Sequence, residues 1–257
     1  MKFLQSLSAQ VSLFTQGAIL ALGVVFIFLD VITESLNPVI DLAWVTVLVC
    51  GLPLLINSVQ SIWERLEIHA NFLIVVAMVA LISNGDYHTA AYVGLIVQAG
   101  FFLEQLITGE SHYTVDDDML PTMPAQLVAM RQGINNYSSV IVVAVLLLSM
   151  GSFALTQDFI HTVTLLLVLC PCSLELILVA LMMGSLVDDA SPVSELSKGT
   201  KQSHLGLLIV SIVFHVAIIC VGVLGLIDPV TAVALHGLAR LGLVYNLKVL
   251  NGSLCVA

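Results

Sequence analysis

Two cysteines flank a proline near the middle of a long apolar run, and their thiols are suited to binding a metal. The run extends from Leu165 to Met183, LLLVLCPCSLELILVALMM, with Cys170-Pro171-Cys172 inside it. Because proline lacks an amide hydrogen and clashes with the carbonyl one turn back, a helix should open locally there. Lipid tolerates open backbone only where protein or a polar cavity covers it, so this run predicts the lining of an intramembrane site. The alternative is a proline kink between two cysteines that pack as small apolar side chains.

Two histidines lie at a depth similar to that of the thiols. Counted along their apolar runs at 1.5 Å per residue, Cys170 and His215 are each about 15 Å deep and His236 is about 10 Å deep. Two thiols and two imidazoles offer the donors of a tetrahedral zinc site, for which cadmium, copper(I) and cobalt could compete. The predicted metal ligands are therefore Cys170, Cys172, His215 and His236. Equal depth does not show that they face one another, and either histidine could instead be hydrogen-bonded to a neighbouring helix.

Three charged residues accompany these donors. Glu175 follows Cys172 by three positions and Arg240 follows His236 by four, so each lies on the helix face of its neighbour. An ion pair between Glu175 and Arg240 would let both charges lie in the membrane. Alternatively, Glu175 is a carboxylate ligand and Arg240 is a fixed cation that lowers the metal affinity. Glu104, near the end of another apolar run, is either a carboxylate on the path into the site or an interfacial residue.

The composition places the chain among all-α polytopic membrane proteins. Of its 257 residues 59% are hydrophobic and only 9% are charged. The net charge is −10 and no basic tract is present, which argues against nucleic-acid binding. Four of the five cysteines fall within apolar runs, so no disulfide framework is predicted. The first apolar run, without a cleavage site, predicts a retained membrane span rather than a cleaved signal.

Eight apolar runs predict eight transmembrane helices in a single domain covering residues 1–257. The runs are 11–33, 39–63, 70–83, 87–107, 139–156, 160–184, 205–227 and 229–250. The polar stretches 108–138 and 185–204 are expected to be short cytoplasmic loops.

The basic residues predict the orientation of the helices. With both termini in the cytoplasm, six basic residues share the cytoplasmic side, and the opposite connections hold acidic residues but no lysine or arginine. The six are Lys2, Arg65, Arg131, Lys198, Lys201 and Lys248. The expected location is the plasma, or inner, membrane, with the lipid bilayer, a metal ion and other membrane subunits as partners.

With these residues in hand, the chain resembles the membrane domain of heavy-metal-transporting P-type ATPases, the zinc and cadmium branch in particular. Leu169-Cys170-Pro171-Cys172-Ser173-Leu174 is similar to that family's Cys-Pro-Cys-Ala-Leu stretch in its metal-binding helix. Residues 85–104, GDYHTAAYVGLIVQAGFFLE, resemble the family's fourth helix, and the stretch 246–250 resembles its Asn-Ala-Leu-Arg-Leu ending. The resemblance implies eight helices and a zinc-like or similar soft divalent metal as ligand.

The chain departs from that family in its site and in its soluble regions. The resemblance puts His236 where the zinc branch has a metal-binding Asp and His215 where it has an intramembrane Lys. The phosphorylation sequence Asp-Lys-Thr-Gly-Thr and the nucleotide-binding motifs are absent, so we expect no ATPase activity and no bound nucleotide. The letters Thr108-Gly109-Glu110 match the family's dephosphorylation motif but lack the domain that would present it.

Two functions from different classes follow from this pattern. The first is binding, and passage, of a zinc-like cation without ATP chemistry. The second is a catalytically dead relative, or an engineered scaffold, serving as a structural or regulatory subunit of a larger membrane assembly. Metalloprotease motifs such as His-Glu-x-x-His are absent, which disfavours an enzyme, and a haem held by His215 and His236 is a remote third alternative.

Overall fold

The structure, a computed structural model, describes residues 13–34, 42–65, 71–108, 125–171 and 196–254. Within these ranges the chain forms helices joined by short turns and contains no strand. The helices are α1 Leu13–Glu34, α2 Ala43–Arg65, α3 Asn71–Ser83, α4 Tyr87–Thr108, α5 Ala125–Thr156, α6 Phe159–Val168, α7 Leu196–Val223 and α8 Pro229–Leu254. Each overlaps one of the eight apolar runs, in the predicted order.

Four of these helices are long and apolar enough to cross a membrane. They are α1, α2, α4 and α5, whereas α3, α6 and the apolar parts of α7 and α8 are shorter. An apolar span of about 20 residues matches the hydrocarbon thickness of a bilayer. The all-helical class is thus confirmed for the described residues and these four helices indicate a membrane protein, whereas the other four predicted spans stay predictions.

Two helices begin within stretches that hydropathy assigns to loops. Helix α5 starts at Ala125 instead of near 139, and α7 starts at Leu196 instead of near 205. The first eight residues of α5, AQLVAMRQ, extend the helix beyond the apolar run. They are rich in good helix formers, and not all of them are apolar. A hydropathy scan detects burial in lipid and therefore misses polar helical extensions.

Helix α6 is short because of the proline that follows it. Asp158 caps its start at Phe159 by accepting a hydrogen bond from the His161 amide, and the helix ends at Val168. The Leu169 amide donates to the Leu165 carbonyl, closing the last turn. The chain leaves the helix before Pro171, as the predicted local opening requires, and the second half of this run, with Cys172 and Glu175, lies outside the described residues.

Helix α4 packs against α1, α2, α3 and α8 and lies at the centre of these contacts. Buried aliphatic side chains such as Leu73, Leu81 and Val93 fill the space beside it. Close approach depends on glycine: a Cβ atom at Gly23 of α1 would lie 2.8 Å from Cys50 Sγ. Helices α1 and α2 are therefore held in close contact.

A polar contact joins the ends of three helices. Asp30 of α1 accepts a hydrogen bond of 2.9 Å from the Leu42 amide, which precedes α2, and its other oxygen lies 3.2 Å from His88 Nδ1 on α4. Asp30 is buried although it is a carboxylate. These contacts supply the partners that a buried carboxylate needs.

Candidate functional site

The candidate site is a cavity of about 50 Å³ between α3, α4, α6 and α8. Most of its wall is apolar, and three polar side chains interrupt that wall: Cys170, His236 and Arg240. The apolar part is formed by Ile74, Ile96, Val97, Phe101, Leu167, Val233 and Leu241, with Gly100 and Gly237 beside them. Polar groups that converge in an otherwise apolar cavity are the usual form of a ligand site.

The thiol and one imidazole reach the cavity from different helices. Cys170 lies just beyond the end of α6 and is 4% exposed, and His236 in the first half of α8 is 8% exposed. The break before Pro171 ends α6 next to the cavity, so Cys170 joins its wall. Two predicted metal donors, one sulfur and one nitrogen, therefore line a common space.

The second imidazole contacts the first. The rings of His215 on α7 and His236 on α8 meet edge to face, with their centroids 5.3 Å apart. His215 Nδ1 lies 3.2 Å from the Ser211 carbonyl oxygen. Because a carbonyl only accepts, Nδ1 is the donor, and a neutral His215 then carries its lone pair on Nε2. A histidine held through one ring nitrogen in this way presents the other nitrogen for metal binding.

Arg240 is paired with a carboxylate that the sequence did not indicate. Its Nη2 lies 2.9 Å from Glu104 Oε2, both side chains are 22% exposed, and the guanidinium carbon lies 5.1 Å from the centre of the Phe101 ring. The sequence predicted Glu175 as its partner, and Glu175 lies outside the described residues. Counted from the starts of α4 and α8, Glu104 is about 9 Å deeper than Arg240, so depth alone does not suggest the pair. Two long side chains bridge that difference.

The structure thus gathers only part of the predicted ligand set. Cys170 and His236 share the cavity and His215 touches His236, whereas Cys172 and Glu175 lie outside the described residues. Within the described ranges no group of three or more histidine, cysteine or acidic side chains is placed to hold a metal ion. Glu104, predicted as an interfacial or path residue, borders the cavity through Arg240.

No known protein family, curated protein or solved structure gives a significant match to the chain.

Proposed function

We propose that the protein binds a zinc-like soft divalent cation within the membrane and lets it pass without ATP hydrolysis of its own. The ligands of this proposal are Cys170, Cys172, His215 and His236. Its main support is the cavity, whose wall contains both Cys170 and His236, together with the contact between the His236 and His215 rings. Thiolate and imidazole are the donors that zinc and its soft competitors prefer.

The charge beside the cavity is compatible with a cation. A lone guanidinium next to the site would repel a metal ion, but the Arg240 side chain is 2.9 Å from the Glu104 carboxylate. The pair is neutral overall, so the repulsion falls steeply with distance compared with that of a single charge. This pairing removes the main electrostatic objection to a metal at Cys170 and His236.

The proposal includes the relation to heavy-metal P-type ATPases as a degenerate membrane domain. The chain lacks the phosphorylation sequence of that family, so movement of the ion would follow its gradient or depend on an energised partner. Both termini would face the cytoplasm from the inner membrane. A thiolate-rich site binds tightly and releases slowly, so passage would be slow.

The decisive experiment measures metal content by mass spectrometry on protein purified in mild detergent. Wild type would be compared with Cys170→Ser, Cys172→Ser and His236→Gln after loading with zinc or cadmium. We expect near-stoichiometric metal in wild type and clearly less metal in each variant. Each variant removes one ligand, which lowers the metal affinity by about tenfold or more.

A matched control uses a cysteine outside the cavity. Cys220 on α7 is exposed, so Cys220→Ser removes a thiol without touching the cavity wall. Metal content should be unchanged in this variant. Equal metal content in wild type and the Cys170→Ser/Cys172→Ser double variant would refute the metal proposal.

A second candidate is a structural or regulatory subunit of a membrane assembly. It is favoured by the protein partners of the polar groups: His215 bonds to the Ser211 carbonyl and Arg240 to Glu104. The Glu104–Arg240 contact joins α4 to α8 and the His215 contact lies within α7, so both side chains have protein partners without a metal. This candidate would be supported if the wild-type protein contained no metal and copurified with another membrane protein. Replacing both Glu104 and Arg240 should then abolish that copurification.

A further inference from the structure

Several glycines in the bundle are explained by close packing. A Cβ atom at Gly23 would lie 2.8 Å from Leu95 Cδ1, and one at Gly222 would lie 2.9 Å from Val168 Cγ2. Any larger residue at these positions would collide with a neighbouring helix. Their presence needs no further explanation.

Gly100 on α4 and Gly237 on α8 are different. Both line the cavity, and a Cβ atom at either would have no neighbour within 4 Å. Both lie in helix interiors with ordinary backbone angles, since the positive-φ glycines among the described residues are Gly85 and Gly225. Glycine within a helix costs roughly 0.5–1 kcal/mol relative to alanine. Gly151, Gly206 and Gly242 are equally unhindered, but of these five glycines only Gly100 and Gly237 border the cavity.

What the two glycines do preserve is open volume. Side chains at these positions would project from the walls on which Gly100 and Gly237 lie, towards space that holds no protein atom. A cavity of this volume accommodates about three to five water molecules, given roughly 10–15 Å³ of such volume for each. Polar partners for water are present in the same wall: Cys170, His236 and Arg240.

We propose that the cavity is a hydrated vestibule through which a small cation reaches Cys170 and His236, and that Gly100 and Gly237 keep it open. The inference rests on the proposed function for the identity of its cargo. The Glu104–Arg240 pair lies at the same wall, since Glu104 is one helical turn beyond Gly100 and Arg240 is three residues beyond Gly237. An ion pair at this position can bind water at the cavity wall, and because it carries no net charge it does not repel cations.

The vestibule can be tested by the reactivity of Cys170 in the full-length protein. In a background with Cys170 as its single cysteine (Cys50→Ala, Cys172→Ser, Cys220→Ala, Cys255→Ala), protein in lipid nanodiscs would be exposed to silver nitrate for timed intervals. The remaining thiol would be counted with a maleimide after denaturation. The variants Gly100→Leu and Gly237→Leu fill the cavity from opposite helices. Gly242→Leu, on α8 but outside the cavity and equally without close neighbours, is the matched control.

We expect silver to react with Cys170 in the parent, and each cavity variant to slow that reaction by about tenfold or more because leucine occupies the volume that water needs. The control should react at the parent rate. Equal rates in all three variants, or an unreactive Cys170 in the parent, would overturn the proposal.

A milder variant separates a folding defect from a closed cavity, and metal binding separates the vestibule from the metal function. Should a leucine variant fail to fold, as judged by gel filtration, Gly100→Ala/Gly237→Ala fills less volume and should slow the reaction to a smaller extent. Silver reactivity is also independent of zinc binding. If the leucine variants slow the silver reaction but the protein binds no zinc or cadmium, the vestibule proposal stands and the metal function is rejected. If the protein binds metal but the leucine variants leave the silver reaction unchanged, the metal function stands and the vestibule proposal is rejected.

Discussion

At the scale of single residues, Arg240 is a charged side chain within the described helical bundle and needs partners for its guanidinium. A guanidinium among apolar side chains is tolerated only with a partner, and Glu104 and the Phe101 ring supply one charge and one aromatic face. Neither partner is evident from spacing along the chain, because each lies on a different helix from Arg240. The pair joins α4 to α8 beside the cavity.

We predict that Glu104→Gln destabilises the protein by about 1–3 kcal/mol, between the values typical of exposed and of buried pairs, because it leaves the guanidinium without its counter-charge. The measurement is thermal unfolding in detergent at fixed lipid content. Replacing both residues, Glu104→Gln/Arg240→Gln, should recover most of the loss. Additive losses in the double variant would show that the two side chains do not interact.

Asp228 offers a prediction outside the membrane-spanning segments. It precedes α8, and the hydrogen bond from the Thr231 hydroxyl, with smaller contributions from backbone amides, holds the pKa of this carboxyl below its ordinary 3.8. Since the folded-state pKa is the lower one, the stabilisation is present above pH 3.8 and is lost as the pH falls through the folded-state pKa.

Removing the hydroxyl with Thr231→Val should therefore raise the pKa of Asp228 towards 3.8 and shrink the loss of stability on acidification. Carbon NMR of labelled aspartate, titrated in detergent, would measure this shift. Thr162→Val is the control, because the Thr162 hydroxyl donates to the Asp158 carbonyl and not to a carboxylate. An unchanged Asp228 titration in Thr231→Val would contradict the assignment.

At the scale of helices, glycines decide how closely α1, α2 and α4 approach. A methyl group at Gly23 would lie 2.8 Å from both Cys50 Sγ and Leu95 Cδ1, closer than real contacts allow. We predict that Gly23→Ala costs about 1–3 kcal/mol through overpacking. Gly151→Ala on α5, where a Cβ meets nothing within 4 Å, should be stabilising by about 0.5–1 kcal/mol. Thermal unfolding in detergent compares the two, and similar midpoints would argue against this close approach.

The helices also show where reasoning from sequence succeeds. Apolar runs identify each of the eight described helices because lipid-facing and buried surfaces are both apolar, and Pro171 marks the end of α6 because its missing amide acts locally. The first turns of α5, which are of mixed polarity, and the polar first turns of α7 are not detected by hydropathy, since helix formation there does not require a continuous apolar run. Features with local causes, such as the position of an apolar helix or its end before a proline, can be predicted from a single sequence.

At the scale of the whole molecule, the site was only partly predictable. Depth along each run brought Cys170, His215 and His236 to a common level, and the structure places His215 against His236 and Cys170 beside the same cavity as His236. Depth cannot reveal which helix faces which. The Glu104–Arg240 pair, and the open walls at Gly100 and Gly237, depend on the rotation of α4 and α8 about their axes. That rotation follows from long-range packing.

The orientation of the whole bundle is itself testable. If both termini face the cytoplasm, Asn84 and Leu226, which lie in the turns after α3 and α7, face the opposite side. In a cysteine-free background, Asn84→Cys and Leu226→Cys should react with a membrane-impermeant maleimide on intact cells or spheroplasts. Lys201→Cys should react only after the membrane is opened. Labelling of Lys201→Cys on intact cells would reverse the assigned orientation.

The early end of α6 has an electrostatic consequence. A helix of 10 residues is about 15 Å long, half the thickness of the hydrocarbon layer, so a helix that starts at the membrane boundary ends near its centre. The aligned peptide dipoles leave about half an elementary negative charge at that end. Since Leu167 and Cys170 line the cavity, this negative potential acts at a largely apolar wall, where the few water molecules that the cavity can hold screen it less than bulk water would. The backbone of α6 therefore favours cations over anions at the centre of the bundle, before any side chain is ionised.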